Sequence, residues 1–159
     1  MPETAARTPH VGEKAPDFKL QSTTGETVDL SDFLGKKHVL IAFFPLAFTS
    51  TCTSELCAFS EDFDDFAGRD VEVLPISVDS VPTLREFRKS LQLKGQLLSD
   101  FKRDVSRAYG VLRDDTFYSN RAYFLLDKHG IIRWSHIEDP PRMLRENSEI
   151  FAEIAKLAG

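Results

Sequence analysis

The chain has 159 residues, 42% hydrophobic and 28% charged, with a net charge of -5 and a pI of about 5.4. A chain of this length folds most simply as one domain, burying about two thirds of its unfolded surface without metal or disulfide cross-links. The acidic balance offers no basic stripe for phosphates and argues against nucleic acid as a partner, and no apolar stretch reaches the ~18 residues of a membrane span.

The opening MPETAARTPHVGEKAPDF lacks a basic segment followed by a long apolar run, so a cytoplasmic protein is expected. In such a reducing compartment the two cysteines, Cys52 and Cys57, read as a reactive pair or as buried thiols rather than as a permanent staple.

Residues 1–10, rich in Thr, Ala and Pro, read as a flexible N-terminus, and 11–159 as a single domain. APDFKLQSTTGETVDLSDF suggests two short strands turning at TTGE. HVLIAFF, 38–44, is a continuous β-prone run of the kind buried on both faces of a mainly parallel sheet, and it stops at Pro45. From Thr51 to Ala67, Leu56, Phe59, Phe63 and Phe66 recur at spacings of three and four, which predicts one helix burying all four, ended by Gly68.

VEVLPISV, 71–78, reads as a second buried strand, and SVPTLREFRKSLQL as a helix with Leu84, Phe87 and Leu91 on one face. After a short QLLSD and a helical DVSRAYG, the segments RAYFLLD and IIRWSHI flank KHG as an antiparallel hairpin. Met143 to Ala158 reads as an amphipathic helix using Ile150, Phe151, Ile154 and Leu157. The order gives an α/β class: a thioredoxin-like fold, a central mixed sheet flanked by helices, preceded by an N-terminal β-hairpin.

The chemistry gathers where the strand 38–44 meets the next helix. Cys52 falls near the first helical turn, where free N–H groups and the helix dipole favour a thiolate; as a lone cysteine it reads equally as a small buried hydrophobe. Thr49 carries a hydroxyl that can donate to and accept from a small polar ligand, or simply form the turn. Pro45 ends the strand and holds a stiff loop. His10, His38, His129 and His136 are dispersed without ligand spacing, so neither metal nor other cofactor is expected, and Trp134 reads as a core or interface residue.

PLAFTSTC resembles the peroxiredoxin signature Pro-x-x-x-Thr-x-x-Cys at Pro45, Thr49 and Cys52. The resemblance runs from VGEKAPDFKL through VEVLPISVDS, LLSD and AYGV to NRAYFLLDKHGIIRW. It implies a cofactor-free thiol peroxidase in which Cys52 attacks one oxygen of a hydroperoxide, giving a sulfenic acid and an alcohol or water. The family pattern places an Arg at the start of RAYFLLD, which selects Arg121 over Arg113 and Arg133, and Arg offers a fork of donors to thiolate and peroxide together. Glu55, one helical turn after Cys52, either supports that Arg or is a favourable acid in the helix's first turns.

A second cysteine five residues on resembles the Q-type subgroup, the bacterioferritin comigratory proteins, and implies that Cys57 resolves the sulfenic acid as an intramolecular disulfide. FFPLAFT also resembles the one-cysteine alkyl hydroperoxide reductase E type, in which Cys57 is a core residue. Five helical residues separate the two Cα atoms by roughly 8.6 Å, beyond the ~4.4–6.8 Å of disulfides, so a resolving role requires the first turns of the helix to unwind. Thioredoxin or a similar dithiol is the implied reductant, and the protein is expected as a monomer or homodimer. Two other classes share the fold: a thiol-disulfide oxidoreductase, against which the absent Cys-x-x-Cys counts, and a redox relay.

Overall fold

The computed structural model describes residues 8–139 and 143–157. Most of the expected N-terminal end lies outside the described residues; Thr8, at its inner margin, donates its hydroxyl to Gly110 O at 3.2 Å. Gly110 has φ +67, and a Cβ there would meet Thr8 N at 2.5 Å, so a side chain at this position is excluded twice over.

The N-terminal hairpin forms as expected, with β1 Lys19–Ser22 pairing antiparallel to β2 Thr27–Asp29. A single 3-10 turn, Leu30–Phe33, follows and is capped by Asp29. β3, His38–Phe43, is buried at all six positions: Val39, Ile41 and Phe43 enter one apolar layer, Leu40 and Ala42 the other. That two-sided burial is why the run shows no alternation of polar and apolar residues.

β4, Val71–Ser77, lies parallel to β3, while β6, Ala122–Leu126, and β7, Ile132–Ile137, complete an antiparallel hairpin on the other side. β5 is only Leu98–Ser99 and bridges β4 to β1, giving the order β2-β1-β5-β4-β3-β6-β7. Pro75 is tolerated in β4 because β5 begins opposite Ile76, so the missing N–H falls beyond the end of that ladder.

The helix expected from Thr51 to Ala67 is two: α1, Ser50–Glu61, and α2, Phe63–Gly68, broken at Asp62. Asn147, far along the chain, donates to Ala58 O and to the Asp62 carboxylate, both at 2.9 Å, a tertiary contact that the local spacing does not encode. Leu56 and Phe59 before the break and Phe66 after it stay buried, but Phe63 turns outward over Gly95. Gly68 is the last residue of α2 rather than a left-handed terminator; that conformation falls to Asp70, at φ +59.

α3, Val81–Leu91, is capped by Ser80, which accepts from Thr83 N, and it buries Leu84 and Phe87. α4, Asp104–Ala108, is short. α5 covers Asn147–Ile154, shorter than the expected 143–158: Met143 is exposed and precedes it, and Ala158 lies outside the described residues. Ile150 and Ile154 face the layer that also holds Leu56, Phe66 and Cys52. No helix among the described residues is long and apolar enough to cross a membrane.

Candidate active site

The geometry of the sheet assembles the site. β3 ends at Phe43 opposite Ala122, so Arg121, immediately before β6, arrives beside the loop that leaves β3. That loop carries Pro45 and Thr49 and turns into α1, where Cys52 is the third residue. The first helical bond runs from Thr53 N to Thr49 O, which leaves the N–H groups of Ser50, Thr51 and Cys52 without intrahelical acceptors.

Pro45, Thr49, Cys52 and Arg121 line one cleft of about 190 Å³, together with Leu46 and Tyr118. Cys52 is 1% exposed and Arg121 2%. Arg121 Nη2 donates to Cys52 Sγ at 3.1 Å, while Nη1 pairs with Glu55 Oε1. One guanidinium fork therefore serves two partners, a sulfur and a carboxyl group. Burial opposes its charge, but Glu55 and Cys52 outweigh it and hold the Arg121 pKa above the usual arginine value.

Glu55 is itself 2% exposed, and its Oε2 accepts no hydrogen bond from the described residues. Burial pushes its carboxyl up to about 7, against the pull of Arg121. Behind it stands Tyr123, two residues after Arg121 on the same face of β6, with burial and Glu55 both raising its phenol's pKa and its oxygen accepting from Arg145 N at 2.9 Å.

Thr49 occupies the N-cap position of α1 without capping it: its hydroxyl donates to Leu46 O at 2.7 Å, and a hydroxyl that donates keeps lone pairs with which to accept. Between these two residues Phe48 has φ +68, a conformation that costs a bulky residue on the order of 1–3 kcal/mol and clusters at functional sites.

Cys57 lies on the same continuous helix, half-buried, and both cysteines are free thiols. The two rivals to Arg121 are elsewhere. Arg113 pairs with Asp115 at 3.4 Å and Arg133 with Asp127 at 2.7 Å, both at the surface. Tyr118, Tyr123 and Asp79 were not singled out from the sequence; for Tyr123 the signal was its alternation with Arg121 along a strand. Among the described residues no group of three or more His, Cys, Asp or Glu is placed to hold a metal.

Residues 11–135 match the AhpC/TSA family, a span that includes every residue of this cleft. The chain belongs to that family. Among similar AhpC/TSA proteins, the chloroplastic 2-Cys peroxiredoxin BAS1 of Hordeum vulgare is 38% identical over 82% of this chain and 67% of its own. Alkyl hydroperoxide reductase E of Mycobacterium bovis is 38% identical over 82% of this chain and 87% of its own. The chain spans about half the length of the spinach and Arabidopsis chloroplast relatives, 53% of each. Among solved structures, the reduced Plasmodium vivax 2-Cys peroxiredoxin superposes with a TM-score of 0.86 at 36% identity, covering 92% of this chain and 81% of the other. The mixed seven-stranded sheet is thus the thioredoxin-like fold of the peroxiredoxins.

Proposed function

We propose that the protein is a thiol peroxidase that reduces hydrogen peroxide and organic hydroperoxides at Cys52. The observation that carries this is the donation from Arg121 Nη2 to Cys52 Sγ at 3.1 Å inside a cleft that also holds Thr49. A buried sulfur gains a charged donor on one side and free N–H groups of a helix start on the other, the setting in which a thiolate is nucleophilic.

The sulfur attacks the terminal oxygen of R–O–O–H, the S–O bond forms as the O–O bond breaks, and RO⁻ leaves to take a proton from water. Thr49 accepts the peroxide's O–H, and Arg121 stabilises the negative charge that develops on the departing oxygen. A small cleft suits the peroxide head while leaving the R group toward solvent.

Cys57 is the resolving residue in this reading: its thiol condenses with the Cys52 sulfenic acid, releasing water and forming a disulfide that an external dithiol such as thioredoxin then reduces. The continuous α1 keeps the two thiols apart, so the first turns of α1 unwind between oxidation and resolution. A cytoplasmic setting belongs to this reading.

The test is peroxide consumption with a dithiol donor. Turnover is expected from the native chain and none from Cys52→Ser; unaltered turnover in Cys52→Ser overturns the assignment.

A further inference from the structure

The loop between β3 and α1 has an anchor outside the cleft. Because β4 runs parallel to β3 with Ile76 opposite Phe43, the residues after β4 emerge beside the residues after β3. Asp79 is one of them, and its Oδ2 accepts from Ala47 N at 2.8 Å and from the Ser77 hydroxyl at 2.7 Å. Asp79 is itself immobilised, its N–H donating to Ser77 Oγ at 3.2 Å and its carbonyl accepting from Ser99 Oγ at 2.6 Å.

We infer that Asp79 is a positioning residue that clamps the loop 45–49 over Cys52, an inference that rests on the peroxidase reading of that site. Ala47 is buried, so its N–H would lose its acceptor without gaining water if Asp79 were truncated. The next residue, Phe48, holds its left-handed conformation with its ring against Phe87 of α3, centroids 5.1 Å apart. Asp79 thus holds the 46–47 peptide and Phe87 holds the ring of the strained residue that follows it. The 46–47 peptide carries the Leu46 carbonyl to which Thr49 donates its hydroxyl, so its placement sets where that hydroxyl sits at the start of α1.

The clamp acts in opposite directions on the two oxidative steps. It holds Thr49 and Cys52 in register for attack on the peroxide, and it opposes the release of the loop that lets Cys52 reach Cys57. Loss of the clamp slows the first step and speeds the second.

The experiment measures single-turnover oxidation of Cys52 by hydrogen peroxide in a Cys57→Ser background, with Asp79→Ala, Asp79→Asn and Asp79→Glu. Alanine is expected to slow oxidation about 10-fold or more, the scale on which misplaced catalytic groups lose rate. Asparagine keeps an oxygen in place for Ala47 N and should stay within about 3-fold of the parent, whereas glutamate keeps the charge but displaces the acceptor and should be slow. Amide exchange should quicken over 46–53 while β3 and β6 stay protected, which separates a released loop from a general loss of structure.

Parent-like oxidation in the alanine variant overturns the clamp, as does restoration by glutamate and not by asparagine, which would make charge rather than placement the operative property. If alanine does not fold, the asparagine and glutamate pair decides. A parent that leaves peroxide unconsumed overturns the peroxidase reading instead, and the exchange over 46–53 then judges the clamp alone.

Discussion

The two ends of the sheet differ in the number of charged groups that line them and in chemistry, and the end with fewer charges is the reactive one. At the start of β3 a hollow of about 510 Å³ is lined by His38, Lys128, Arg133 and Lys156, and its cations are taken up in solvent-facing pairs: Lys128 with Asp70, Arg133 with Asp127, Lys156 with Glu153. At the end of β3 the cleft is less than half as large, yet one guanidinium is buried between a thiol and a carboxylate. Arg121 and Arg133 belong to the same β6–β7 hairpin and each meets a carboxylate; they differ in exposure, 2% against 51%. A buried charge with two partners is worth far more than an exposed one, so the capacity for chemistry follows desolvation rather than cavity size or charge count.

The comparison breaks most sharply at the nucleophile. Cys52→Ser should lose at least about 10³-fold in the rate of peroxide consumption, measured in a coupled dithiol assay, because a hydroxyl stays protonated where a thiol ionises. Next, Arg121→Lys should slow Cys52 oxidation about 10²-fold in stopped-flow measurements, since a point charge cannot serve the sulfur and Glu55 with one rigid fork. The matched change at the other end, Arg133→Ala, should leave that rate unchanged.

Glu55 gives a pH signature. Its folded carboxyl titrates near 7 against 4.5 for the free group, so the native state holds a proton that the unfolded state has released between those values. Stability should therefore fall as pH rises from about 4.5 to 7, by up to about 1.4 kcal/mol per pH unit, and Glu55→Gln should flatten that slope in urea titrations. The smallest effect belongs to the solvated end, where Arg133→Ala should change unfolding free energy by no more than about 1 kcal/mol.

Local patterns in the chain reveal much of this. The apolar run of β3, the break at Pro45, the Pro45–Thr49–Cys52 spacing and the strand that begins after Arg121 are all short-range features, and the structure brings those residues into one cleft. The misreadings share a long-range origin. Asn147 interrupts the helix at Asp62 from the far end of the chain, and Phe63 then finds Gly95 instead of the core. Nothing local marks Asp79, because its acceptor role depends on the parallel register that sets β4 against β3. Glu55 was legible as a neighbour of Cys52, but its burial against Arg121 came only with the register of β6.

The most direct measurement treats the reduced protein with one equivalent of hydrogen peroxide, counts free thiols and weighs the intact chain. The account predicts a monomeric chain that has lost both thiols and two hydrogens, the product of Cys52 and Cys57 joined after α1 opens. One surviving thiol with one added oxygen would contradict it and leave Cys57 as a packing residue beside a one-cysteine enzyme.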